Sequence, residues 1–346
     1  MTRAPTEFVL LTGFLGSGKT TLLRDFLEGP EAADTAVIIN EAGEINIDGA
    51  IIAETGRGLP VALLSSGCVC CSVSNDLLYT IEALVEGRRD AGLPPFRRIV
   101  LECSGLALPG AVLRSFGPSG PAGMPVRIVA TVDARGSSLD AGFEDAAAQL
   151  AAAHTIVVTK LDQPHDGTIR DRIAGLNPFA RVVETEDARE RARTAFPLGE
   201  PGGEALPAAL FHTGRSHTHA RIGVSLATFP SPMSWADLQD WLEDLTGLCG
   251  ARLLRLKGIV RVTDCPEPIL VQAVGNLFSV PRRMRLASAP GEGLVIIARD
   301  LPLTALRASS LGRDAMFFAA GGDRRHLDDS ATLSASAGLR SSAANL

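Results

Sequence analysis

The 346-residue chain has a formal net charge of −6 and an isoelectric point near 5.6, a balance that argues against a general nucleic-acid binder with basic stripes. No apolar stretch approaches the roughly 18–20 residues of a membrane-spanning helix, and the N-terminus MTRAPTEFVLLTGFLGSGKT lacks a signal-peptide pattern. A cytoplasmic protein without nucleic-acid or membrane partners is expected, and there thiols stay reduced, so clustered cysteines read as metal ligands or redox groups rather than disulfides.

In chain order, residues 8–12 (FVLLT) read as a short buried strand and 18–28 as a helix. Further buried strands are expected at 36–40, 60–65, 98–102, 126–133 and 155–159. Residues 75–88 place Leu77, Leu78, Ile81, Leu84 and Val85 on one helical face, with Ser74 as N-cap, and 142–153 read as an Ala-rich helix. Continuous apolar strands alternating with helices predict an α/β domain over residues 1–196, built on a mostly parallel sheet covered on both faces. The pattern weakens after residue 186. Residues 197–222, with Pro, Gly, His212, His217 and His219, read as a linker. A strand at 223–229 follows, then a helix at 234–245 that opens with Ser234 and Asp237 at capping-box spacing. Strands at 252–262, 269–280 and 294–299 and a helix at 302–311 complete a smaller α+β C-terminal domain, 223–320, with a largely antiparallel sheet. The Ser-, Ala-, Asp- and Arg-rich residues 321–346 are expected to be disordered.

The first chemical signal is GFLGSGKT, Gly13 to Thr20, which matches G-x-x-x-x-G-K-[ST] between a strand and a helix, as a P-loop requires. Gly13, Gly16 and Gly18, with Ser17 between them, let backbone N–H groups wrap phosphates, and the helix N-terminus adds its positive end. Lys19 reaches the β- and γ-phosphates, the Thr20 hydroxyl suits Mg²⁺, and Thr21 supports the α-phosphate. The strand ending RIVLECSG places Glu102 on the Mg²⁺ side, with the Gly105 N–H available to sense the γ-phosphate. The strand ending IVVTKLD matches [NT]-K-x-D, a guanine signature. Asp162 can accept from guanine N1–H and the exocyclic amine, which adenine does not supply. The Lys160 stem can lie along the base and ribose, and Thr159 stands where Asn is commoner. GTP is favoured over ATP; an ATP-dependent kinase and a plain surface loop are the rival readings. Between these motifs, Asn40, Glu41, Glu44 and Asp48 follow a buried strand, either as a switch loop ordered by γ-phosphate and Mg²⁺ or as a solvated acidic loop. Only three lysines occur, Lys19, Lys160 and Lys257, against a large excess of arginine, and two of them fall in nucleotide motifs.

Together, GFLGSGKTTLL, NEAGEINID, GCVCC, ECSGLALP and TKLD resemble the CobW-type family of P-loop GTPases, the cobalamin-synthesis-protein and zinc-metallochaperone group. LLRLKGIV and SWADLQDWL are similar to that family's C-terminal domain, so the resemblance extends to about residue 320. It implies slow, metal-responsive GTP hydrolysis coupled to handling a transition metal, often Zn²⁺ and in some members Co²⁺. It also implies relatives that insert nickel into urease and hydrogenase. By residue it implies phosphate and Mg²⁺ roles for Lys19 and Thr20, the Mg²⁺ side for Glu102, guanine for Thr159, Lys160 and Asp162, and transferable metal for Cys68, Cys70 and Cys71 with Glu41 as a further ligand. The chain departs from the family at Ala42, where Phe is usual, at Thr159, and in carrying only HTH at 217–219 where many members have a long histidine run.

Thiolates suit Zn²⁺ or Cu(I) over Mg²⁺, and a closed structural zinc site needs four ligands. Cys68, Cys70 and Cys71 offer three and no second knuckle follows; Cys103, Cys249 and Cys265 read as isolated core or strand residues. Glu41, a histidine or water would complete the site. A redox pair, a vicinal disulfide and inert buried cysteines are the alternatives, and His217 and His219 are either accessory ligands or solvated. The resulting expectation is a GTP-hydrolysing metallochaperone that passes metal, foremost zinc, to a client metalloprotein under nucleotide control. A cobalt-handling factor and a nucleotide-gated zinc sensor are the alternatives, and homo-oligomerisation is left open.

Overall fold

A computed structural model describes residues 5–40, 60–63, 74–116, 121, 123–136, 139, 144–198, 219–231, 233–284 and 292–319. The aliphatic runs form β1 (Glu7–Gly13), β2 (Thr35–Ile39), β3 (Val61–Leu63), β4 (Arg98–Glu102), β5 (Val126–Asp133), β6 (Thr155–Thr159) and β7 (Arg181–Val183). The helices are α1 (Lys19–Leu27), α2 (Ser74–Asp90), α3 (Pro109–Arg114), α4 (Glu144–Ala152), α5 (Ile169–Leu176) and α6 (Ala188–Ala195). The strands pair in the order β3-β2-β4-β1-β5-β6-β7, every pair parallel. All carboxyl ends therefore lie along one edge. Connections from β1 and β4 run to opposite sides, which makes the crevice beside β1 a natural ligand site.

Alternation along the strands serves two cores. Val9, Leu11, Val37, Ile39, Val100, Val129 and Val157 pack with Leu22, Leu23 and Phe26 of α1 and Ala192 and Ala195 of α6. Phe8, Leu10, Ile38, Ile99, Leu101, Ile128 and Ile156 pack on the other face with Leu77 and Ile81 of α2 and the alanines of α4. With both faces covered, strand residues have no polar side, which is why these segments read as continuous apolar runs. The predicted α2 face holds at Leu77 and Ile81, but Val85 is 38% exposed. Ser74 falls inside α2 as its first residue, not before it. The elements α3, α5, β7 and α6 were not anticipated, and α6 lies where the sequence pattern weakens.

The second unit contains β8 (Ile222–Thr228), α7 (Trp235–Cys249), β9 (Leu253–Val262), β10 (Cys265–Val274), β11 (Leu277–Phe278), β12 (Arg282–Arg283), β13 (Gly293–Arg299), α8 (Leu303–Ala308) and β14 (Met316–Ala319). Its antiparallel sheet has the order β11-β10-β9-β13-β8-β14, with β12 paired to β10. The predicted capping box is present: the Ser234 hydroxyl accepts from Asp237 N–H and the Asp237 carboxylate accepts from Ser234 N–H. The expected strand 269–280 is instead a hairpin, because Gly275 adopts φ 53° and reverses the chain between Val274 and Leu277. The expected helix 302–311 breaks at Ser309, whose extended backbone separates α8 from a 3₁₀ turn at Ser310–Arg313. The predicted tail 321–346 lies outside the described residues, among which no helix is long and apolar enough to cross a membrane.

The two units share a core. One face of the second sheet is covered by Leu238, Trp241, Leu242 and Leu245 of α7. On the other, Leu226, Ile259, Val295 and Ile297 join the cluster that contains Ala146, Ala147, Ala148 and Ala151 of α4. Thus α4 packs against β1 and β5 on one side and β9 on the other. Small side chains let two sheets approach one helix. Arg255 of β9 seals the junction: its Nη1 donates to Ala152 O (2.8 Å) and Ala153 O (2.7 Å), carbonyls left over at the helix C-terminus. Beside it, His154 Nδ1 accepts from Ile128 N–H (3.0 Å), and Arg127 pairs with Glu7 (2.8 Å).

Two outcomes follow from this junction. Ala147→Leu forces extra methylenes between the sheets and lowers stability by about 1–3 kcal/mol in chemical denaturation. Desolvation, reinforced by Arg255, Arg127 and Lys257, holds His154 well below its ordinary value of 6.5. Below that pH the unfolded chain binds a proton that the folded chain refuses, so stability is complete above pH 6.5 and falls as pH drops, by up to about 1.4 kcal/mol per unit. His154→Asn keeps an acceptor for Ile128 N–H, and its denaturation midpoint loses that share of the acid slope.

Candidate functional site

The phosphate loop grows directly out of β1. Gly13 has φ 140°, and a Cβ there would meet Thr131 Oγ1 at 2.4 Å and Ser17 Oγ at 2.7 Å, so only glycine lets the loop turn this tightly against β5. The N–H groups of Leu15, Gly16 and Gly18 donate to no backbone acceptor among the described residues and remain available to an anion. Lys19 Nζ arches back over the loop to Gly13 O (2.9 Å) and Phe14 O (3.3 Å). Thr20 Oγ1 donates to Glu102 Oε1 at 2.7 Å. The pair brings a hydroxyl on the first turn of α1 and a carboxylate at the end of β4 together, an all-oxygen donor set that suits Mg²⁺.

Two threonines brace the loop from beneath. Thr131 Oγ1 lies 2.6 Å from Ser17 Oγ. Thr159 Oγ1 donates to Ser17 O (2.8 Å) and Val132 O (3.1 Å). Ser17 and Thr159 therefore both have a structural part in the loop. Ser17 N–H donates to Phe14 O (3.1 Å) and its hydroxyl meets Thr131, so Ser17 shapes the loop rather than offering these groups to phosphate. Thr159 turns its hydroxyl toward the loop and not toward a base.

A cavity of about 410 Å³ opens beside Thr21, lined by Leu161, Asp162, Glu186 and Arg191 as well as the stem of the loop. Its volume fits a nucleobase with ribose. Lys160 sits at φ 55°, a left-handed conformation for a non-glycine residue. Its ammonium donates to Asp133 Oδ2 (3.0 Å), which leaves the alkyl stem at the cavity wall. Hydrogen bonds from Arg135, then Lys160, hold the Asp133 carboxyl well below the usual carboxylate range despite partial desolvation.

The turn after Glu102 is held by an unanticipated residue. Gln149 Nε2 of α4 donates to Gly105 O and Ala107 O, both at 3.0 Å. Gly105 packs so closely on the phosphate loop that an added Cβ would lie 2.8 Å from Leu15 N. Sequence reasoning missed Thr131, Gln149, Glu186 and Arg191. A lone glutamine in an Ala-rich buried helix was a usable sign for Gln149; Glu186 and Arg191 carried none, because their role depends on where α6 docks.

Cys68, Cys70, Cys71 and Glu41 lie outside the described residues, as do Glu44, Asp48, His212 and His217. Among the described residues no group of three His, Cys, Asp or Glu side chains is arranged to hold a metal. Cys103 and Cys249 are buried and Cys265 is partly so, on separate elements, as expected; burial pushes the Cys249 thiol up to about 11. His219 does not present a free Nδ1, since that atom accepts from Arg221 N–H (3.2 Å). The neutral ring then carries its proton on Nε2.

The model of the CobW/HypB/UreG nucleotide-binding domain matches residues 7–184, and that of the cobalamin synthesis protein CobW C-terminal domain matches 224–310. The chain is 31% identical over 319 residues to zinc chaperone YjiA of Escherichia coli K12, covering 89% of this chain and 98% of that protein. It is 30% identical over 353 residues to zinc chaperone CobW of Pseudomonas aeruginosa, covering 88% and 90%. The crystal structure of Zn(II)-bound YjiA GTPase from E. coli aligns with TM-score 0.62 at 25% identity, over 90% of this chain and 99% of that one.

The bracing role of Thr159 has a direct readout. Thr159→Val keeps the shape but removes the side-chain donor to the buried Ser17 carbonyl, which costs about 1–3 kcal/mol of stability in chemical denaturation. Thr159→Ser retains the hydroxyl and recovers most of it.

Proposed function

Because the chain belongs to the CobW/HypB/UreG family of nucleotide-binding proteins, we propose that it hydrolyses GTP and uses the nucleotide state to govern transfer of zinc to a client metalloprotein. The observation that carries this reading is the Thr20–Glu102 contact at the mouth of an anion-binding loop. In this reading the loop N–H groups and Lys19 hold the phosphates, Asp162 accepts from the guanine edge, and Thr20 and Glu102 hold Mg²⁺. The ion would neutralise charge developing on the phosphoryl oxygens. The residues' own part is positioning: Lys19 leaves the Gly13 and Phe14 carbonyls for phosphate oxygens, and the rigid loop keeps its N–H groups aimed without reorganisation.

Zinc is the cargo, taken up by Cys68, Cys70 and Cys71 with Glu41 as a fourth ligand. Two facts support coupling of cargo to nucleotide. The segments carrying these residues leave the carboxyl ends of β2 and β3, on the same sheet edge as the phosphate loop. Asn40, the last described residue before Glu41, donates its N–H to Glu102 O (3.0 Å). A γ-phosphate that shifts the Glu102 strand end therefore pulls on the start of the metal segment.

Calorimetric zinc titration with GDP and with a non-hydrolysable GTP analogue tests the proposal. Zinc affinity differs between the two states, and by linkage zinc changes analogue affinity by the same factor. Equal zinc affinities would refute nucleotide control, and undiminished zinc binding in Cys68/Cys70/Cys71→Ser would refute the ligand assignment. Absence of GTP turnover would leave a zinc sensor in place of a chaperone. For the base, Asp162→Asn replaces an acceptor with a donor and lowers GDP affinity about ten- to hundredfold, the range of a charge-assisted hydrogen-bond pair, while improving xanthosine diphosphate binding.

A further inference from the structure

The turn Ser104–Ala107 follows β4 and precedes α3. Its only internal bond is Ala107 N–H to Ser104 O (3.1 Å). The N–H groups of Ser104, Gly105 and Leu106 donate to no protein acceptor among the described residues. Three successive N–H groups without an acceptor among the described residues, set beside a phosphate loop, suit an anion. What fixes their direction comes from the opposite side. Gln149, 0% exposed, uses both amide hydrogens on the carbonyls of Gly105 and Ala107. Two carbonyl acceptors settle the orientation of its side-chain amide, because only the nitrogen can donate. In a planar trans peptide the C=O and the next N–H point in opposite directions. Holding Gly105 C=O toward α4 therefore aims Leu106 N–H away from α4.

We propose that Gln149 is a positioning residue for the terminal phosphate of the nucleotide. It touches no nucleotide; it locks the 104–107 turn so that the Leu106 N–H is preset for a γ-phosphate, while the Ala107 N–H bond to Ser104 O sets the peptide that carries the Gly105 N–H. The close approach of Gly105 to Leu15 places that turn against the phosphate loop. The lock is itself anchored, because the carbonyls at the end of α4 are held by Arg255 of the second sheet. The proposal gives this turn to the γ-phosphate alone, so Gln149 contributes to triphosphate recognition and turnover but not to GDP binding. This inference rests on the GTP site proposed above.

The test compares equilibrium affinities for GDP and a non-hydrolysable GTP analogue, together with kcat and KM for GTP, in wild type, Gln149→Met and Gln149→Glu. Q149M has the same length without donors. It lowers analogue affinity about tenfold, the weight of one to two lost hydrogen bonds, reduces kcat, and leaves GDP affinity within about twofold. Q149E donates only while its carboxyl is protonated, so its analogue affinity falls as pH rises, whereas that of Q149M is flat with pH. Parallel loss of GDP and analogue affinity in both variants would mean that Gln149 only supports the fold, and unchanged discrimination would mean that it does not orient the turn; either overturns the inference alone. Failure of the wild type to bind guanine nucleotides at all would overturn the proposed GTP site, and this inference with it.

Discussion

A helix with a sheet on each side has no solvent face, and that constraint on α4 organises the molecule. Its residues must be small enough for two sheets to close on it, which the alanines satisfy. Any polar group on it must find a partner inside the protein, because water is excluded. Gln149 does so with its amide hydrogens on the turn beyond β4, while its Oε1 has no partner among the described residues, and the terminal carbonyls do so through Arg255. One segment thereby holds a phosphate-facing turn and the second unit in a fixed relation. Packing density makes such a junction stiff, so a displacement at one end is not absorbed along the way.

The phosphate loop shows the same economy. Its backbone donors stay free for a ligand because side chains from neighbouring strands satisfy the groups beneath it. Thr131 and Thr159 come from β5 and β6, and Glu102 comes from β4 on the other side of β1. The loop is thus shaped by residues distant in sequence, and its preorganisation is a property of the sheet. Asp133 adds an electrostatic counterpart: by binding Arg135 and the Lys160 ammonium it keeps that lysine's stem against the cavity wall.

Much of this was legible in the sequence, for identifiable reasons. Strands buried on both faces gave unbroken apolar runs, so β4, β5 and β6 were placed to the residue. The phosphate loop and the Ser234 capping box depend on local spacing, which a sequence displays. The failures are non-local or involve weak local breaks. Gly275 turns a long apolar run into a hairpin, and Ser309 ends a helix with no proline to announce it. Thr159 looked like a base contact because the motif names its position, while its hydroxyl is committed to the loop by the register of β5 and β6. Glu186 and Arg191 reach the cavity only because α6 folds back on α1.

The scarcity of lysine acquires a practical meaning from where the three residues sit. Lys19 is enclosed by the phosphate loop, and Lys257 is buried with its ammonium 5.6 Å from the centre of the Phe179 ring. Lys160 alone keeps an appreciable fraction of its side chain, 31%, open to solvent. Apart from the chain's amino terminus, amine-directed reagents therefore have one accessible target, and it borders the base cavity. Acylation at that single position is a covalent reporter of whether the cavity is filled, obtained without engineering a label.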